Sequence, residues 1–73
     1  MTIKEFIGKA EYDPLGTMIW SIRGKEMQML ADIRGWGTIQ NMFKTEAEAA
    51  EFQDELGRFI KNAINEKIER EVL

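Results

Sequence analysis

Seventy-three residues, with no cysteine, no histidine and a formal net charge of −3, fit a single domain over 1–73. They exclude a disulfide, a thiol nucleophile, a Cys/His zinc site and a proton shuttle working near neutral pH. The balance of 44 % apolar and 32 % charged residues is that of a soluble globular chain, and no apolar run approaches the roughly 20 residues that span a bilayer.

The N-terminal Met1-Thr2-Ile3-Lys4-Glu5-Phe6 lacks a basic region followed by a long apolar one, so no signal peptide is expected and the cytoplasm is the predicted location. Residues 4–12 alternate. Phe6, Gly8, Ala10 and Tyr12 fall on one face and Glu5, Ile7, Lys9 and Glu11 on the other, the period of a strand. A helical reading competes, because Ile3, Phe6, Ile7 and Ala10 have helical spacing and Thr2-x-x-Glu5 fits a capping box. The strand is favoured, since Asp13-Pro14-Leu15-Gly16 carries type I turn chemistry and a hairpin would follow.

Residues 17–23 and 27–34 supply two further strands, with a turn at Gly24-Lys25. On the first of them, Met18, Trp20 and Ile22 are assigned to the core and Ile19, Ser21 and Arg23 to the opposite face. On the second, Met27, Met29, Ala31 and Ile33 share a face and Leu30 lies opposite. Gly35-Trp36-Gly37 interrupts, and 38–43 is predicted as a fourth strand. Such spacing describes an antiparallel meander of three to four strands.

The last third is one long helix, about 46–70. Thr45-Glu46-Ala47-Glu48 is a capping box. The acids that follow it, Glu51, Asp54 and Glu55, complement the positive helix end and form a solvated face. Ala49, Phe52, Leu56, Phe59, Ile60 and Ala63 make the stripe predicted to pack on the sheet. The expected fold class is α+β, a meander covered on one face by this helix.

Apolar residues remain beyond that stripe. Ala50, Gly57, Ile64 and Ile68 lie on a flank that either covers the sheet edge or forms a seam with a second copy. Gly57 costs about 1 kcal/mol inside a helix relative to Ala, which close packing would offset. With Ile19 and Leu30 on an uncovered sheet face, these residues make the predicted dimer interface. A 73-residue chain buries only about 60 % of its unfolded surface, so association is a natural source of stability.

Arg34-Gly35-Trp36-Gly37 is the most distinctive local motif. Either Trp36 folds back on the core, or Trp36 and Arg34, with Arg23 nearby, present a partner-binding surface. An alternative use of Arg34 and Trp36 is to stack and hold a nucleotide or nucleic acid. Against that, residues 46–73 carry eight acids and four bases, a poor surface for a phosphate backbone. Ser21 is the only serine and has no histidine to activate it; there is neither GxGxxG nor P-loop. No enzyme, cofactor or metal is expected.

The stretch Met29-Leu-Ala-Asp-Ile-Arg-Gly-Trp-Gly37, followed by Glu48-Ala-Ala-Glu-Phe-Gln-Asp-Glu-Leu-Gly57 and Ala63-Ile-Asn65, resembles short accessory proteins of bacteriophages and mobile elements. The resemblance implies a small protein that binds and modulates a host or phage component, such as an inhibitor of a host system. The sequence therefore predicts a non-enzymatic protein-interaction module, a homodimer with a macromolecular partner. Its alternatives are a nucleic-acid or nucleotide binder and a structural subunit of a larger assembly.

Overall fold

The structure is a computed structural model. It describes residues 1–23, 26–33 and 38–70, and for Arg23, Glu26, Thr38 and Gln40 the backbone alone. Two short segments precede the sheet's first turn where one strand was expected. Helix α1 spans Ile3–Ile7 and strand β1 spans Lys9–Asp13. Both sequence readings of this region are thus realised, one after the other. Thr2 and Glu5 form a reciprocal capping box, with the Glu5 N–H donating to Thr2 Oγ1 at 3.0 Å and the Thr2 N–H donating to Glu5 Oε1 at 3.2 Å. Gly8 ends the helix at φ 67°, a backbone that glycine adopts without a Cβ clash. Its N–H donates to Lys4 O at 2.9 Å, and the chain leaves extended.

Strands β2 (Met18–Arg23) and β3 (Glu26–Asp32) complete a three-stranded antiparallel sheet in the order β1-β2-β3. The expected turn is present: Asp13 Oδ1 accepts from the Leu15 N–H at 3.0 Å, a local side-chain turn of the kind Asp favours. A bulge opposite the Ile19/Trp20 step interrupts the β2–β3 ladder. The predicted fourth strand at 38–43 is instead helix α2, Thr38–Met42. It packs on the long helix next to the Phe43 and Phe52 rings, whose centroids are 5.2 Å apart.

Helix α3 runs Glu46–Arg70, as its capping box predicted; the Glu48 N–H donates to Thr45 Oγ1 at 3.1 Å. At 1.5 Å per residue it is about 37 Å long, and it sets the long axis of a body measuring 44 × 23 × 14 Å. The radius of gyration, 13.9 Å, exceeds the about 11 Å usual for a globule of this length.

The sheet faces are reversed relative to the sequence assignment. Ile19 and Ser21 point at the helices and are fully buried, while Met18, Trp20 and Ile22 lie on the outer face and are only half-buried. The reason is visible around Ser21. Its hydroxyl donates to Ile7 O at 2.7 Å and lies 3.2 Å from Phe6 O. It thereby satisfies carbonyls that the short α1 leaves without intrahelical partners. A small polar residue is needed there, and the larger Trp20 and Ile22 take the other side of the pleat.

Candidate interaction surfaces

Helix α3 docks on β1 through a face that is only partly apolar. Its buried residues are Ala49, Gln53, Gly57 and Ile68, rather than the predicted stripe. Of that stripe Ala49 alone is buried; Leu56 and Ile60 are half-buried and Ala63 is exposed. Phe52 is on the exposed side and Phe59 is 72 % exposed.

Three polar or close contacts hold the helix in this rotation. The Asn65 side chain straddles the free edge of β1. Its Oδ1 accepts from the Ala10 N–H and its Nδ2 donates to Ala10 O, both at 2.9 Å. The Asn65 amide thus takes the place of a neighbouring strand. Gln53 Nε2 donates to Ile33 O at 2.7 Å, which ties the first half of α3 to the end of β3. Between these two, the Tyr12 ring lies flat against Gly57, where a Cβ would collide with it.

Tyr12 is fixed at both ends. Its ring sits on Gly57 and its hydroxyl donates to Asp54 Oδ1 at 2.9 Å. Burial, followed by the hydrogen bond and charge of Asp54, pushes the Tyr12 hydroxyl up from 10.0 to about 12. The folded state therefore holds the phenol proton more tightly than the unfolded chain. The stability this provides is complete below pH 10.0 and is lost as pH rises towards about 12. The comparison that isolates Tyr12 is with Tyr12→Phe. In urea titrations at a series of alkaline pH values, the wild type loses stability faster than Tyr12→Phe; parallel curves would exclude this role.

Arg34 and Trp36 lie outside the described residues, as does the side chain of Arg23. Of the residues assigned to a dimer interface, Ile19, Gly57 and Ile68 are buried within the chain. Ile64 is half-buried and Ala50 is exposed. Gly57 makes its close approach to Tyr12 of its own chain, so its missing side chain is already used there. Within the flank, Gly57 and Ile68 are therefore turned to their own chain, while Ala50 is left on the surface. Leu30 is half-buried.

What sequence reasoning missed is which residues make up the outer sheet face. Strand register aligns Lys9, Ile22 and Met27 in one row, Glu11, Trp20 and Met29 in the next, and Asp13, Met18 and Asp32 in the third. Met27 is 61 % and Met29 49 % exposed. The signal available was the polarity of Ser21, Gln53 and Asn65, which mark the contacts between α3, α1 and the sheet.

A groove of about 300 Å³ between α1 and the end of α3 is lined by Ile3, Ile7, Ala63, Ile64, Lys67 and Ile68. Another, of about 230 Å³, lies between Phe43, Phe52 and the acids Glu48, Glu51 and Glu55. Among the described residues no group of acids could hold a metal ion, and no helix is long and apolar enough to cross a membrane. Compared with known proteins, the chain matches no family model, no curated protein and no solved structure.

Proposed function

We propose that this chain is a non-enzymatic protein-interaction module that works as a homodimer and binds a macromolecular partner. The observation that carries the reading is an excess of surface. The chain exposes 5589 Å², whereas a folded monomer of 8.5 kDa exposes about 4,700 Å². The surplus, roughly 900 Å², is close to the about 800 Å² that each partner contributes to a standard interface.

The core is correspondingly thin. Among the described residues the buried apolar side chains are Ala10, Ile19, Ala49 and Ile68. Large apolar residues remain outside on two sides of the molecule, Met27 and Met29 on the sheet and Phe59 on α3. Met27 and Met29 share adjoining rows of one sheet face with Trp20 and Ile22, and a contiguous apolar patch of that kind marks an interface. A role in modulating a host or phage component follows from the sequence resemblance alone.

Sedimentation velocity over a dilution series tests the homodimer directly. The expected result is a sedimentation coefficient that rises from the monomer to the dimer value within the micromolar range. A monomer at every concentration, with the fold intact by circular dichroism, would remove the reading.

A further inference from the structure

We propose that the outer face of the sheet, the side turned away from α3, is the self-association surface. In this arrangement a second copy packs on it face to face about a two-fold axis that crosses the strands near Trp20. The proposal rests on the homodimer reading above and adds which surface is used and in what orientation.

Three observations favour a second copy on this face. The first is how the sheet edges are treated. An exposed strand edge recruits other chains by backbone pairing, and proteins blunt edges by covering them or inserting bulges. Here the β1 edge is taken by the Asn65 amide at Ala10, and the β2–β3 ladder carries a bulge at the Ile19/Trp20 step. Extension of the sheet is thus hindered at both ends, and the broad face is left for association.

The second observation is the make-up of the face. Met18, Trp20, Ile22, Met27 and Met29 form one apolar surface in adjoining rows. Trp20 is central, flanked by flexible methionines that can adapt to an opposing surface. Aromatic anchors surrounded by such contacts are typical of binding hot spots.

The third is charge. Lys9 stands at one end of the face, in the row of Ile22 and Met27; Asp13 and Asp32 stand at the other, in the row of Met18. Glu11, in the middle row, is paired with Lys9 at 2.9 Å. A copy stacked with its strands running the same way would place acid over acid. A two-fold axis across the strands reverses the second copy and brings each Lys9 end towards the partner's acidic end. Complementary potentials of this kind select orientation, and closed two-fold symmetry prevents open-ended stacking.

Strand spacing and rise make the three-stranded face only about 14 by 20 Å. That is about 280 Å² of flat area per copy, well below the about 800 Å² each partner gives to a standard interface and below the surplus noted above, so this face makes a weak, transient dimer.

Sedimentation velocity of the full chain and four variants, each checked for fold by circular dichroism and thermal melting, tests the assignment. Met27→Glu and Met29→Glu alter exposed side chains on the face, Lys9→Glu reverses the charge at one end, and Phe59→Glu alters the far side of α3. Each methionine variant should require about tenfold or more higher concentration to associate. Lys9→Glu should require a smaller increase, and Phe59→Glu should associate as the wild type does. Folded Met27→Glu and Met29→Glu that associate like the wild type would overturn the face assignment while leaving the homodimer intact, as would loss of association in Phe59→Glu alone. A wild type that never associates would overturn both.

Discussion

Gly57→Ala is expected to lower stability by up to about 2 kcal/mol, although the same change at an exposed helix position stabilises by about 1 kcal/mol. The added methyl group would enter the space of the Tyr12 ring. That ring cannot simply swing aside, because its hydroxyl donates to Asp54 at 2.9 Å and its backbone belongs to β1. Forcing a methyl group into such a contact costs about 1–3 kcal/mol, more than the gain in helix propensity. For a domain of this size the net loss corresponds to a melting point lower by several degrees. The double variant gives the cleaner test. With Tyr12→Ala already made, the space is open and Gly57→Ala should become stabilising, so the two changes are strongly non-additive. A Gly57→Ala protein that melts higher than the wild type would show that α3 does not rest on Tyr12.

Asn65 should prove the most sensitive polar position. Its amide serves the N–H and the C=O of Ala10 at once, and both lie where water has limited access. Asn65→Leu strands both groups. An unsatisfied buried donor or acceptor costs about 1–3 kcal/mol, and the partial burial here puts the total near 2–4 kcal/mol. The variant also frees the edge of β1 and should aggregate on heating. Asn65→Asp separates the two bonds. The carboxylate still accepts from the Ala10 N–H but sets a charged oxygen against Ala10 O, so at neutral pH the variant is less stable than the wild type. The deficit narrows in acid, where the protonated carboxyl again has a hydrogen to donate. Urea titrations of the three proteins at neutral and acid pH read this out. Equal stability of Asn65→Leu and the wild type would mean that the edge needs no cap.

The two contacts explain which parts of the fold were legible. Helix α3 was, because Thr45 and Glu48 mark its start and a long run rich in Ala, Glu, Leu and Lys follows. The hairpin strands were also clear from their turns. The rotation of α3 was not. Hydrophobic spacing selects Phe52, Leu56, Phe59 and Ala63 as the inward stripe, yet the helix turns Gln53, Gly57 and Ile68 inward. A glycine that receives a ring and two amides that bond to backbone look, in a hydrophobicity pattern, like solvent-facing positions. The same blind spot reversed the sheet faces. Ser21 is buried because α1 presents carbonyls to it, and α1 itself depends on the Thr2–Glu5 box and the Gly8 stop. At 38–43 the run Thr-Ile-Gln-Asn-Met-Phe is short enough to suit either period, and packing on α3 decides for helix.

The reversal bears on function, since it places Met18, Trp20 and Ile22 on the outer face and not in the core. That face is the surface proposed above to receive a second copy. The methionines provide a direct measurement. With methyl groups of Met labelled by carbon-13, Met18, Met27 and Met29 report on the outer face, while Met1 and Met42 lie elsewhere and are exposed. In a dilution series the account predicts that the first three methyl signals move together with concentration, following one association curve, and that Met1 and Met42 stay in place. Signals from Met18, Met27 and Met29 that do not respond while the protein dimerises would contradict it.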